Sequence, residues 1–408
     1  MGSPAPDDDP ASPGPSRRAQ SSAPSSAVLP ASFSIDEASL YATARSSLSP
    51  PRPAFGGGGG GGAPSSGAST HISVNPPGSG GGSGSGTGAS GEPGGSGGGV
   101  RLSDLFDEGG AAAHYPASMS SSVRQHVYEG GLRYHAYHDG KYAFPNDEVE
   151  QNRDDMKHAM TLMLMGGEHC YAPVEETLRD GGEVLDLVAD KYPNAVFRGV
   201  DLSPIQPNYV PDNVYFVVDD FEDDWVHPDS SIDYIHVRHT LHSVRDRRAL
   251  LQRCMRHLRP GGYVEFQELR YEPRCDDASA GPDVPYAFRD FMGFMDAGLR
   301  ALGSELNAVA RLPADLRAAG FEGVRERTHK CPIGVWPRDK RLRYCGLFLR
   351  TAIMDGLRGL VRRPLGTGLG WTQLQIEVFL VDVRKAVMDA DFHAYFPFHV
   401  VHARKPLS

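Results

Sequence analysis

Several strand-like runs in this chain end on side chains that could do chemistry. Asp201 closes the run Ala195 to Asp201, and a carboxylate at a strand end can accept hydrogen bonds from two ribose hydroxyls. Asp219-Asp220-Phe221-Glu222 follows Val214 to Val218 and sets a carboxylate beside an aromatic edge, a pair suited to an adenine amino group and face. Around the end of Ile232 to Val237, His236, His239 and His242 form an HxxHxxH run. Their spacing puts the first and last well apart, and the first belongs to the strand, so no metal site is expected. Glu265 and Glu268 on the next strand could polarise an acceptor, or serve the structural role usual for carboxylates at sheet ends. Cys331 has no base or cation beside it except Lys330 and reads as an ordinary thiol.

Those residues need a scaffold, and the pattern supplies one. Val184 to Leu187 reads as a first buried strand, and the helix Arg245 to Leu258 puts Leu250, Leu251, Cys254, Met255 and Leu258 on one face. Pro260-Gly261-Gly262 stops that helix, and Tyr263 to Leu269 is a fifth strand. Strands alternating with helices indicate an α/β fold, a doubly wound parallel sheet with its sites at the carboxyl ends of the strands. Upstream, Asn146 or Asp147 is placed to cap a helix over Glu148 to Met165. The aromatic stretch Tyr128 to Tyr142, poor in basic partners, is expected to pack over the domain rather than stack on bases. Downstream, Arg274 to Gly320 forms inserted helices, in which Phe288, Phe291, Met292, Met295 and Leu299 are mostly core. Val324 to Ile333 and Tyr395 to Val401 are the last strands.

One join breaks the pattern. Only Val188 to Asn194 separates the first two strands, whereas adjacent parallel strands need a crossover of about a dozen residues or more. The segment contains no glycine to let backbone approach a ligand.

Composition bounds the rest. The first 121 residues are dominated by Gly, Ser, Pro and Ala, with too few large apolar side chains to offset their ordering entropy, and read as a disordered tail. A formal net charge of −10 argues against general nucleic-acid binding. The 5 cysteines show no CxxC spacing and read as reduced thiols. With no apolar run of membrane-spanning length and no basic-then-apolar leader, the expected setting is cytoplasm and/or nucleus, away from membranes.

The ordered set of motifs resembles the class I S-adenosylmethionine-dependent methyltransferases, and more narrowly the fungal LaeA-like group. It is carried by Phe144-Pro145-Asn146-Asp147-Glu148-Val149-Glu150-Gln151, Asp201-Leu202-Ser203-Pro204-Ile205-Gln206-Pro207 and Val218-Asp219-Asp220-Phe221-Glu222. Asp233-Tyr234-Ile235-His236-Val237-Arg238, Leu258 to Glu265 and Pro332-Ile333-Gly334-Val335-Trp336-Pro337 add to it. The match runs from about Tyr137 to Pro406. It implies a Rossmann-like methyltransferase domain over 122–408, with a lid segment 122–180, a sheet core 181–270, a helical cap 271–320 and C-terminal strands and helices 321–408.

The resemblance also implies S-adenosyl-L-methionine as cofactor. Asp201 would bind the ribose, Asp220 and Phe221 would border the adenine, and Asp186 would end the first strand beneath the methionine moiety. Tyr142, Asn146, Asp219 and His236 are weaker transfers, with Tyr142 to Glu148 across the cofactor's mouth. His239 or His242, in the loop facing the methyl group, would border the acceptor, a small molecule or a protein. In this fold the final strand turns antiparallel at the sheet edge. The departure is the short join, where the family runs through a Gly-x-Gly-x-Gly loop and a helix. Two explanations compete: a mis-drawn reading frame, or a true loss that leaves a methyltransferase-fold scaffold for regulatory partners. Intact Asp201 and Asp220 favour the first. In either case a distorted or displaced first strand is expected.

Overall fold

The computed structural model describes residues 125–185, 192–205 and 211–408. The tail, Asp186, most of the short join, Gln206 and Pro207 lie outside the described residues.

A seven-stranded sheet runs through the molecule. Its strands are β3 (Glu183–Leu185), β4 (Val196–Asp201), β5 (Val214–Val218), β6 (Ile232–Arg238), β7 (Leu258–Leu269), β8 (Glu322–Pro332) and β9 (Tyr395–Arg404), in the order β5-β4-β3-β6-β7-β9-β8. A separate hairpin, β1 (His126–Glu129) with β2 (Leu132–His135), leads into α1 (Glu148–Leu164). β5, β4, β3, β6 and β7 are parallel, so their carboxyl ends lie along one rim. Apolar side chains cover both faces of this sheet, as a parallel sheet between helical layers requires. Ile235, Phe266, Val401 and Ala403 pack on α3 (Arg247–His257) and α5 (Leu312–Ala318). Val184, Phe197, Val214 and Tyr234 pack with Leu178 of α2 (Glu175–Asp180).

The first strand is short but in place. Val184 and Leu185 pair with Tyr234 and Ile235 on one side and with Phe197 and Arg198 on the other, so the expected displacement is absent. Ten residues, 186–195, separate β3 from β4 in the sequence. Ten residues can span roughly 33 Å when extended, ample to reach the neighbouring strand.

Two sequence expectations change. Strand β7 begins at Leu258, directly after α3, and includes Pro260-Gly261-Gly262; Leu258 already pairs with Ile232, with a register shift before Tyr234. The final strand is antiparallel, as expected, but β8 rather than β9 takes the sheet edge. Side-chain character explains this. β9 is apolar on both faces, with Phe396, Phe398, Val400, Val401 and Ala403 all buried, whereas Arg325, Glu326, Arg327 and Thr328 of β8 are exposed. Charged side chains suit an edge and guard it against further pairing.

A third apolar cluster lies in a helical layer formed by α1, α4 (Ala287–Ala301), α6 (Lys340–Val361) and α7 (Gln373–Met388), closed onto Leu269, Phe396, Phe398 and Val400 of the sheet. Asp147 caps α1 by accepting from the Glu150 N–H at 3.1 Å. Phe288, Phe291, Met292, Met295 and Leu299 of α4 are buried in this layer, as core. Glycine sets the closest approach: a Cβ on Gly346 in α6 would lie 1.8 Å from the Gly334 carbonyl oxygen.

Candidate functional site

Ordinary turn chemistry shapes the rim. After β4 the chain turns, and the Ser203 N–H donates to Asp201 Oδ1 at 2.8 Å. Asn146 Nδ2 then donates to Ser203 Oγ at 3.0 Å, and Arg133 Nε donates to Asn146 Oδ1 at 3.2 Å, which ties the hairpin and the start of α1 to that turn. After β5, the Glu222 N–H donates to Asp220 Oδ1 at 2.9 Å. After β6, the N–H groups of Thr240 and Leu241 both donate to Glu268 Oε1 at 2.9 Å. His239, between those elements, has φ +51°, a left-handed conformation that non-glycine residues adopt mainly where the surroundings enforce it.

These turns and α1 enclose a cavity of about 440 Å³, within the range that holds a small molecule. Tyr142, Asn146, Asp201, Asp220, Phe221 and His239 all line it. The others fall elsewhere. His236 borders two smaller neighbouring cavities. His242 is buried with its ring 5.8 Å from that of Phe144 and 6.2 Å from that of Tyr271. Asp219 accepts from the Tyr137 hydroxyl at 3.4 Å. Among the described residues, His236, His239 and His242 are not within ligating reach of one another; the one group that is, His138, Asp220 and Asp223, contains a carboxylate already paired with Lys141.

The two acids of the site have opposite electrostatics. Burial pushes the Asp201 carboxyl up to about 6 against the hydrogen bond from Ser203, and Asp154 adds to the rise. No cation pairs with it among the described residues. Burial would also raise Asp220, but hydrogen bonds from Lys141 and His138 outweigh that and hold it below the usual carboxylate range. His239 and His242 are driven down by burial, with Lys157 adding to the effect, so both rings are neutral near pH 7. Glu265 is spent on structure: it accepts from the N–H groups of Tyr171 and Ala172 and from Gln267. Burial likewise raises the Cys331 thiol, an inert core group.

Sequence reasoning missed Lys141, Asp154, Lys157 and Arg238, all of which line the cavity. Arg238 was visible only as the last residue of a matching motif. Asp154 and Lys157 are an i, i+3 pair on α1, indistinguishable from surface charges until the helix is docked.

A methyltransferase-domain family model matches residues 179–307. Methyltransferase pytC of Aspergillus terreus is 37% identical over 306 residues, covering 71% of this chain and 91% of that protein. The chain belongs to the LaeA-like methyltransferase family. Secondary metabolism regulator laeA of Aspergillus flavus is 31% identical over 74% of this chain and 84% of its own length. Protein-methionine methyltransferase laeA of Emericella nidulans is 31% identical over 74% of this chain and 83% of its own length.

This LaeA-like protein is thus an S-adenosylmethionine-dependent methyltransferase with a Rossmann-like sheet. The residues present fit that cofactor at its nucleoside end. Asp201 is a half-buried acceptor without a cation among the described residues, suited to vicinal hydroxyls, and Phe221 offers an apolar ring. No glycine lines the cavity among the described residues, while Arg238 Nη2 and His239 Nδ1 are buried without hydrogen-bond partners. No helix among the described residues is long and apolar enough to cross a membrane.

Proposed function

We propose that this LaeA-like chain is a working methyltransferase, with the rim cavity as its cofactor and acceptor chamber. The observation that carries this is the convergence of Asp201, Asp220 and Phe221 on one cavity from the ends of two adjacent strands. Bound S-adenosylmethionine supplies an electrophilic methyl group on a sulfonium. Asp201 then holds the ribose hydroxyls, and Asp220 with Phe221 borders the adenine, with Asp219 supporting them through its Tyr137 contact. Tyr142 and Asn146 close the mouth, and Asn146 sets the turn that aims Asp201.

Methyl transfer is a substitution that needs mainly alignment of the acceptor and exclusion of water. Neutral His239 borders the reacting end and can take a proton from the acceptor as it attacks, while His242 and His236 shape the wall behind. The acceptor is a small molecule or a protein. Relatives named as regulators of secondary metabolism support a role in that setting, and regulatory protein partners for this chain are part of the same proposal.

A second reading, a scaffold that binds partners without catalysis, rests on the short return after β3. Calorimetric titration of the full chain with S-adenosylmethionine decides between them. Micromolar binding supports the enzyme; absence of binding overturns it. Sequencing the transcript across codons 184 to 195 tests the reading frame independently.

A further inference from the structure

We propose that Arg238 is the anchor for the carboxylate at the amino-acid end of the cofactor, a job that no glycine-rich backbone lining the cavity performs among the described residues. The inference rests on the cofactor reading above.

Arg238 ends β6, next to β3 in the sheet, and lines the 440 Å³ cavity beside His239 and Thr240. It also borders a smaller cavity of about 160 Å³ together with Asp201 and Leu185, the last residue of β3. Asp201, Leu185 and Arg238 thus end three neighbouring strands, β4, β3 and β6, and the strand end from which the short return departs lies between the ribose-side acid and the guanidinium.

Its partners make the case for an anion. Nε donates to Gln267 Oε1 at 2.9 Å and Nη1 meets His158 Nδ1 at 2.9 Å, both neutral acceptors. The ring of His158 stays neutral because burial, then Arg238 itself, drives it down to about 4. Nη2 is buried with no partner. No carboxylate forms an ion pair with Arg238 among the described residues. A desolvated guanidinium cannot shed its proton near neutral pH; Glu265 acts on it through space without a direct ion pair, so Nη2 is a charged donor still lacking an acceptor of its own. A guanidinium also presents paired donors that match a carboxylate. Two of its donors are fixed by Gln267 and His158, which holds the fork in place and leaves Nη2 for the ligand.

The test compares two probes on the full chain by calorimetry. S-adenosylhomocysteine carries the amino-acid group; 5′-methylthioadenosine keeps the nucleoside and thioether but lacks it. The unaltered chain should bind the first at least about tenfold more tightly, as a charge-assisted hydrogen bond implies. Arg238→Met should weaken S-adenosylhomocysteine by roughly 30-fold and change methylthioadenosine by less than about twofold. Arg238→Lys, which keeps the charge without the fork, should fall between. Thermal unfolding of each variant checks that it is folded. Equal loss for both probes overturns the assignment in favour of a structural role, and so does unchanged binding of both. Equal affinity of the unaltered chain for the two probes overturns it without any variant. Failure of the unaltered chain to bind either probe overturns the cofactor reading, and the anchor with it.

Discussion

Lys141 and Asp220 form an ion pair that joins the segment after the hairpin to the end of β5, and both side chains border the same cavity. The Asp220 side chain is 1% exposed and that of Lys141 21% exposed, so the contact is largely screened from water. His138 Nδ1 reaches the same carboxylate at 3.0 Å, and Arg245 Nη2 donates to the Gly140 carbonyl at 2.9 Å. The segment over the cavity is thus held by polar contacts to the turn beneath it. Asp220 meets the proposed adenine site with one oxygen already serving two cationic or polar donors and the other the Glu222 N–H.

Lys141→Met should therefore loosen that segment more than it empties the site. Losing one partner of a buried pair costs about 3–5 kcal/mol when the other is stranded, but His138 still serves Asp220, so a loss of roughly 1–2 kcal/mol is expected. Chymotrypsin cleavage after Tyr137 should speed up in the same variant. Unchanged urea midpoint and unchanged cleavage would show that the pair does not hold the segment.

Asp201 gives a pH dependence with a definite sign. An acceptor for hydroxyl donors works as the anion, and burial sets its carboxyl at about 6. S-adenosylhomocysteine affinity should be flat above about pH 7 and fall as pH drops through 6, with a slope approaching tenfold per unit. Folding stability runs the other way. A carboxyl raised above its unfolded value contributes most below about pH 4 and loses that contribution as pH rises through about 6. Asp201→Asn should consequently bind weakly at every pH, lose the slope, and gain roughly 1 kcal/mol of stability at pH 7.5 but none at pH 4. A slope that survives in Asp201→Asn assigns the titration to another group.

Much of this site could be read before the fold. Asp201, Asp220 and Phe221 are strand-end residues, and a parallel sheet brings strand ends to one rim whatever the details of packing. What stayed hidden depends on docking. Asp154 and Lys157 matter only because α1 is laid against the rim, and Arg238 because its Nη2 is left without a partner once Gln267 and His158 take the other donors. The exchange of β8 and β9 at the sheet edge was hidden for a related reason. Strand order follows from which faces are covered, and covering helices come from distant parts of the chain. The charges of β8 were a local sign of an edge that the family expectation overrode.

Glu268 should prove structural rather than catalytic. Its carboxylate serves two N–H groups of the turn after β6, and burial raises it to about 7. Glu268→Ala strands both donors and should cost about 2–4 kcal/mol. Glu268→Gln keeps an acceptor oxygen and removes a buried charge. The unaltered protein should lose stability as pH rises through about 7, because the raised carboxyl must ionise, and Glu268→Gln should lack that decline. Urea unfolding at pH 6 and pH 8.5 reads both effects; a pH dependence shared by the two proteins would exclude Glu268 as its source.

Gly346 tests whether the helical layer tolerates any slack. Helix α6 packs on α1, which carries Asp154, Lys157 and His158 to the cavity, so its seating bears on the site as well as on stability. At Gly346 an added Cβ would stand 1.8 Å from the Gly334 carbonyl oxygen and 2.9 Å from its carbon. Backbone on both sides leaves no flexible side chain to yield, and Gly334 itself sits at φ +96° in the turn after β8. Gly346→Ala should therefore cost on the order of 3 kcal/mol or more, at the upper end for overpacking. A Cβ added at Gly366 would meet nothing within 4 Å, so Gly366→Ala should leave the melting temperature within about one or two degrees. If Gly346→Ala melts with the parent protein, α6 is seated less tightly than this close approach requires.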